Sequence, residues 1–132
     1  MPNRLSIRSA CLSLVLCLGA GPIVAQSGWI GVLKDSPAEQ FDDEDLRLFM
    51  EAARKALNDT PTEGKVAWQN PATTSRGELT VLSSFTWQTH ACRRVQVDNE
   101  ARGRKSKQVA SLCRIDDRWR AVTESQLSEA AR

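Results

Sequence analysis

The order of hydrophobic and polar positions divides the chain into a helical part followed by a β-rich part. After the acidic run 42–45, apolar residues recur at spacings of three and four, which predicts an amphipathic helix with Asp42 as N-cap and Asp45 in the capping-box position. The helix is predicted to end near Asn58, because Pro61 follows closely and the residue before a proline avoids helical geometry. Its apolar face consists of Leu46, Phe49, Met50, Ala53 and Leu57.

Beyond residue 64 the pattern changes from a helical period to short β-rich runs. Residues typical of turns, such as Gly, Pro, Asn and Asp, separate these runs. One helix followed by several strands with short connections predicts an α+β fold, in which the helix packs on one face of a four- or five-stranded antiparallel sheet. The predicted strands are Lys65–Gln69, Glu78–His90, Ala91–Val97, Gln108–Ile115 and Trp119–Val122.

Two of the predicted strands carry the last two cysteines of the chain. The midpoint between Cys92 and Cys113 falls between Arg102 and Gly103, and glycine supplies the positive φ that a tight hairpin turn requires. The cysteines therefore face each other on a hairpin, and we predict a disulfide between them. A zinc site is not favoured, because these two cysteines and the single histidine of the chain cannot fill a tetrahedral site.

The first 25 residues have the pattern of a secretory signal peptide. Two arginines precede an apolar stretch, Ala10–Leu18, and the small residue Ala25 marks the expected cleavage site. The apolar stretch is shorter than the roughly 20 residues that a bilayer requires, so we expect no transmembrane helix in the mature chain. The alternatives are an uncleaved anchor helix and a lipidated N-terminus, although the residues before Cys11 and Cys17 do not favour lipidation.

This organisation divides the chain into a signal peptide (1–25), an N-terminal arm (26–41), an α+β domain (42–123) and a C-terminal tail (124–132). The arm contains the apolar patch Gly28–Leu33 before a turn. We expect the patch to pack on the core, because exposing it costs roughly 25 cal/mol per Å² of apolar surface. A strip that contacts a partner or a membrane is the alternative.

The predicted mature chain has a balanced charge. The signal peptide contains two of the 18 Lys and Arg residues, so the remainder matches the 16 Asp and Glu residues, and no nucleic acid partner is expected. Residues 93–120, however, contain nine basic residues and four acidic ones. We predict that the basic hairpin tip contacts a polyanion or a partner protein, although charged strand edges also serve to prevent aggregation. The tip residues are Arg102, Arg104, Lys105 and Lys107.

Residues that could carry out catalysis or bind a metal are sparse. His90 lies two residues before Cys92, but a Cys/His nucleophile needs a free thiol, which the predicted disulfide removes. The acidic run 42–45 lacks the even spacing and the glycine of a calcium loop. We therefore predict no enzyme activity, no cofactor and no metal site.

Several short motifs occur in order along the chain: a helix ending in Ala56-Leu57, then Trp68-Gln69-Asn70-Pro71 with Gly77, then Cys92-Arg93, and finally Cys113-Arg114 followed by Trp119. Together they span roughly residues 46–122 and resemble the C-terminal domain of the bacterial 17-kilodalton surface antigen family. The resemblance implies an envelope protein, at the outer membrane or in the periplasm, without a known enzymatic activity and with its two cysteines paired. Family members often carry a lipid-modified N-terminus and a glycine-zipper segment, which have no convincing match in this chain, so membrane anchoring does not transfer.

These observations predict a non-enzymatic exported envelope protein, periplasmic or outer-membrane-associated, that acts as a binding or assembly module. The expected partner is an envelope protein, lipopolysaccharide or a glycan, and the contact surfaces are the basic hairpin and the apolar arm. The alternative is a small exported enzyme or enzyme inhibitor that uses a groove between helix and sheet. The sequence leaves the ligand and the oligomeric state open.

Overall fold

The protein has an α+β fold with a five-stranded antiparallel sheet, as the sequence predicts. The structure is a computed structural model that describes residues 27–129. The predicted signal peptide therefore lies outside the described residues. The elements in order are α1 (Ser27–Leu33), a 3-10 helix (Pro37–Gln40), α2 (Asp43–Asn58), β1 (Lys65–Gln69), β2 (Arg76–Trp87), β3 (His90–Ala101), β4 (Arg104–Ile115), β5 (Arg118–Val122) and α3 (Glu124–Glu129).

The segment predicted as an arm is helical. Because α1 and the 3-10 helix both precede α2, the expectation of one helix before the sheet is wrong. Trp29 in α1 is 5% exposed and meets the ring of Phe49 edge-on, with 5.4 Å between ring centroids. Gly28 lets α1 approach β5, since a Cβ at this position would lie 2.5 Å from the carbonyl oxygen of Trp119. The apolar patch thus packs on the core, as expected, through Trp29.

Both ends of α2 are capped by side chains. The predicted capping box is confirmed: the Asp42 carboxylate accepts from the backbone N–H of Asp45 at 2.7 Å, and the Asp45 carboxylate accepts from the N–H of Asp42 at 3.2 Å. At the other end the Arg93 guanidinium, from β3, donates to the carbonyl oxygens of Ala56 (2.8 Å) and Thr60. Arg93 therefore satisfies the Ala56 carbonyl, one of those that a helix end leaves unpaired, and ties both α2 and the segment after it to the sheet.

The sheet is a meander in which each strand pairs with its neighbours in sequence. Its last three connections are two-residue turns, Gln88–Thr89, Arg102–Gly103 and Asp116–Asp117, with positive φ at both positions, the geometry that suits the twist of a hairpin. The turn predicted at Arg102–Gly103 is confirmed, and the Asp116–Asp117 turn lies between the predicted strands that end at Ile115 and begin at Trp119. The strand predicted over Glu78–His90 is wrong at its end, because the chain turns after Trp87.

The predicted register between β3 and β4 is confirmed. Cys92 faces Cys113, and a disulfide joins them, with 4.0 Å between the Cα atoms and a sequence separation of 21. A loop of this size contributes about 3 kcal/mol in the chain-entropy account of disulfides. Both strands extend further toward the Arg102–Gly103 turn than predicted, so that Ala101 pairs with Arg104.

The main core lies between α2 and one sheet face, which we call the helix face. Large side chains with at most 3% exposure fill the space between α2 and the sheet. The alternative prediction, an enzyme or enzyme inhibitor, required a groove in this space. A smaller cluster lies on the opposite face, which we call the open face, where Leu127 of α3 packs near the disulfide. The side chains that fill the main core include Phe49, Leu57, Leu79, Val81, Val95 and Leu112.

A row of three residues on the helix face explains why Trp68 and Gly77 occur together. Trp68, 6% exposed, meets the ring of Phe41 edge-on with 5.1 Å between centroids. It is paired across the strands with Gly77, which is paired with Asn99. A Cβ on Gly77 would lie 2.5 Å from Trp68 Nε1 and 2.4 Å from Asn99 Oδ1. Glycine is therefore required because the indole lies across it.

Asp45 joins the start of α2 to the loop between β1 and β2. Its carboxylate is buried, and Oδ1 accepts from Asn70 Nδ2 at 2.8 Å and from Thr73 Oγ1 at 2.6 Å. Burial raises the pKa of Asp45, but hydrogen bonds from Thr73, Asn70, the Asp42 backbone and Ser75 outweigh burial and hold this pKa below its ordinary value. The carboxylate thus acts as a charged structural anchor.

Candidate binding surface

The four tip residues predicted as one contact surface are divided between two faces and a turn. Side chains alternate between the faces of a strand, so Lys105 and Lys107 lie on the open face and Arg104 lies on the helix face. Arg102 occupies the first position of the turn, with φ 49°. The structure therefore brings together two of the four predicted residues.

Carboxylates on β3 face the two lysines. Lys105 Nζ lies 3.9 Å from Glu100, and Lys107 Nζ lies 3.9 Å from Asp98, while the lysine side chains are 73% and 68% exposed. Ion pairs this long and exposed contribute little to stability. Both ammonium groups are therefore accessible to a ligand. Arg102, like Lys105 and Lys107, is exposed.

The carboxylates are held more closely by other groups. Glu100 pairs with Arg76 at 3.0 Å, and Asp98 accepts a hydrogen bond from Gln96 at 2.9 Å. In a neighbouring ion pair, Lys65 Nζ lies 3.0 Å from a carboxylate oxygen of Glu78, so these two charges cancel. The remaining charges near the tip are five cations against two carboxylates, an excess of three positive charges. They are Arg76, Arg102, Arg104, Lys105 and Lys107 against Asp98 and Glu100.

A groove of about 390 Å³ lies beside the exposed lysines, across β1 to β4. Two rows of side chains that lie on the open face form its walls, and residues between the rows form its floor with their backbone. We call it the tip groove. The walls are Gln69, Arg76, Glu100 and Lys105 in one row and Ala67, Glu78 and Asp98 in the other, and the floor is Trp68, Gly77, Asn99 and Ser106.

The placement of the groove on the open face follows from the register. The indole of Trp68 packs in the main core, so Trp68 can contribute only backbone on the opposite face. The short side chain of Ala67 leaves the β1 end of the groove shallow. The groove thus offers cations, carboxylates and an amide to a polar ligand. Sequence reasoning missed Arg76, Asp98 and Glu100, because their proximity depends on the register of three strands.

The opposite end of the sheet carries His90. Its ring lies 6.5 Å from that of Trp87, and the sulfur of Cys92 is committed to the disulfide. His90 therefore has no free thiol beside it and lies far along β3 from the tip groove. Within residues 27–129 no cluster of three or more His, Cys, Asp or Glu side chains is placed to bind a metal ion.

In the part of the chain that the structure describes, none of the helices has the length and apolar character needed to cross a membrane. Comparison with protein-family models, with curated proteins and with solved structures finds no match for this chain. The resemblance to the surface antigen family therefore stays a prediction that rests on the sequence motifs.

Proposed function

We propose that this chain is a non-enzymatic exported envelope protein, periplasmic or outer-membrane-associated, that binds an anionic envelope component through the tip groove. The ligand class is a phosphate- or carboxylate-bearing glycan, such as lipopolysaccharide. The observation that carries the proposal is the juxtaposition of the groove with the exposed ammonium groups of Lys105 and Lys107 on the open face. With Arg76 they make three cations against the carboxylates of Asp98 and Glu100 on this face, while Arg102 in the turn and Arg104 on the helix face add positive charge around the tip.

The ion pairs beside the groove favour an anionic ligand. The carboxylates of Asp98 and Glu100 already accept closer contacts from Gln96 and Arg76. The lysines at 3.9 Å can therefore turn to a ligand anion while the carboxylates keep a partner. Positive charges at the rim also attract anions from solution, an effect that salt screens.

Three further features support export. The first 25 residues have the signal peptide pattern, and the cysteines of the described chain form a disulfide, which persists in oxidising compartments. The motifs that resemble the surface antigen family point to the envelope as well. Membership of that family and location in the envelope are parts of this proposal.

The test is binding of the exported protein to immobilised lipopolysaccharide at increasing salt concentration. We expect Lys105→Ala/Lys107→Ala to weaken binding about ten-fold or more and to flatten its salt dependence. The matched control is Arg118→Ala/Arg120→Ala, which removes the same charge from exposed positions on β5 and should leave binding within about two-fold. An acidic polysaccharide without lipid serves as a second probe that separates glycan recognition from lipid recognition.

Two results would contradict the proposal. Equal weakening by both double variants would show that net charge, not the tip groove, governs binding. Absence of binding to both probes at low salt would remove an anionic glycan as the ligand class.

A further inference from the structure

The outer edge of β2 is unpaired over half of its length. β1 pairs with residues 76–80 of β2, and the backbone of Glu63 and Gly64 bonds to Val81. From Ser83 to Trp87 no other strand among residues 27–129 pairs with this side, and the contact made there is between side chains, with the Thr62 hydroxyl 3.2 Å from the Ser84 hydroxyl. We call this segment the β2 edge. Unpaired strand edges are templates for strand addition.

The disulfide reveals which amides of the β2 edge point outward. Residues facing each other on antiparallel strands alternate between hydrogen-bonded pairs and closer, non-hydrogen-bonded pairs with Cα atoms about 4.5 Å apart. At 4.0 Å, Cys92 and Cys113 form a pair of the second kind, so the backbone of Cys92 bonds to Phe85, its partner on β2. The backbone groups of Ser84 and Thr86 then point away from β3.

The unpaired edge of β4 provides a contrast. β5 pairs with residues 111–115 of β4, which leaves 104–110 unpaired, and this edge carries Arg104, Lys105 and Lys107. Charged residues of this kind prevent edge-to-edge pairing. The β2 edge, 83–87, carries no charged residue and consists of serine, threonine and aromatic residues. Side chains thus protect the unpaired part of β4 from strand pairing and leave the unpaired part of β2 open to it.

We propose that the β2 edge pairs with the β2 edge of a second copy of this chain, antiparallel about a two-fold axis at Phe85. Ser84 of each copy then lies opposite Thr86 of the other, and their outward backbone groups form two hydrogen-bonded residue pairs. The interface is isologous, and no like charges face each other across the axis. The two sheets join into one continuous sheet of ten strands.

The β2 edge fits a second copy because it is self-complementary. Ser84 and Thr86 are both exposed on one face, while Phe85 and Trp87 lie partly buried on the other. Leu82, at the bulge beside this edge, is 38% exposed. An edge of five residues buries little area, so the dimer is reversible and its population depends on protein concentration.

Sedimentation velocity on the exported, disulfide-bonded chain over a range of concentrations tests this dimer. Thr86→Pro removes an N–H that the single copy does not use, and proline is tolerated at such edge positions. We expect it to weaken dimerisation about ten-fold or more, since each dimer loses two hydrogen bonds. Thr86→Ala, which keeps the N–H, is the matched control and should change dimerisation by about two-fold or less.

Amide hydrogen exchange on the unmodified chain gives a second measurement that needs no variant. The amides of Ser84 and Thr86 should exchange rapidly in dilute protein and slow down as concentration rises. The outward amide of Lys107, on the unpaired edge of β4, should stay rapid throughout.

Three results overturn the proposal. The first is a monomer at every concentration. The second is a dimer in which the amides of Ser84 and Thr86 stay rapid, because that dimer uses another surface. The third is slow exchange of these amides that does not change on dilution, because another segment of the same chain then covers the edge.

Discussion

Replacement of Asp45 by asparagine should destabilise the fold strongly, although the change removes no atoms from the core. Asparagine keeps one acceptor oxygen for Asn70 and Thr73, but its NH₂ group faces the backbone N–H of Asp42, where the structure has a carboxylate oxygen. Two hydrogen-bond donors, the asparagine NH₂ group and the backbone N–H of Asp42, then face each other without an acceptor. The negative charge at the positive end of α2 is lost as well.

The expected loss follows from these contacts. A hydrogen bond to a charged group contributes about 1.5–3 kcal/mol, and a charge in the first helical turn contributes about 0.3–1 kcal/mol. We therefore expect a loss of about 3 kcal/mol in the free energy of unfolding, with a fall of roughly 15 °C in Tm for a domain of this size. Asp43→Asn, an exposed neighbour in the same turn, should cost about 0.3–1 kcal/mol because only the charge is lost.

Urea unfolding at several pH values separates the hydrogen bonds from other effects of the substitution. Since the folded-state pKa of Asp45 is lowered, its stabilisation is complete above the ordinary range of aspartate and is lost as pH falls through the lowered pKa. Asp45→Asn cannot titrate at this position. The difference in the free energy of unfolding between the two proteins should therefore shrink as pH falls below the ordinary range of aspartate. A loss equal to that of Asp43→Asn, or a difference that is constant with pH, would refute the reasoning.

Three further substitutions, two of them with a matched control substitution, test other contacts by thermal or urea unfolding. Gly77→Ala should lower the free energy of unfolding by about 2 kcal/mol or more, because the new methyl group enters space that the indole of Trp68 occupies. The control Gly31→Ala, in α1 with nothing near its Cβ position, should raise the free energy of unfolding by about 0.5–1 kcal/mol. Similar effects of the two substitutions would contradict the close packing at Gly77. Arg93→Met should lower the free energy of unfolding by about 2 kcal/mol, because α2 loses its C-terminal cap. The control Arg94→Met, which breaks an exposed ion pair, should change it by no more than about 1 kcal/mol. Equal losses would show that Arg93 does not stabilise the end of α2. Cys113→Ser should lower the free energy of unfolding by about 3 kcal/mol relative to the disulfide-bonded protein. An unchanged free energy of unfolding would show that the disulfide does not stabilise the fold.

The features that sequence predicted correctly are those with local causes. The start of α2 follows from a capping box and a helical period within a few residues of each other. The β3–β4 register follows from Gly103 and from one long-range constraint, the facing cysteines. Once a single pair is fixed in an antiparallel ladder, every other pair follows, so one disulfide determined the entire hairpin.

The features that sequence missed depend on weak local signals or on several elements at once. Gln88 and Thr89 take positive φ without the Asn or Gly that usually marks such turns, so the end of β2 was misplaced. The helical spacing in α1 covers less than two turns. The role of Arg93 needs both α2 and β3 in place, and the tip groove needs four strands in register. The sequence displays the alternating charged residues of β3 and β4, but it does not indicate which residues of β2 lie beside them.

The meander has a consequence for the order in which the protein assembles. Every strand pairing joins neighbours in sequence, so each hairpin can close as soon as its second strand is available, and folding of such local topologies is fast. Strand pairing then brings Cys92 and Cys113 together before they are oxidised. Residues 27–129 contain no other cysteine, so within this part of the chain oxidation stabilises a register that strand pairing has already set.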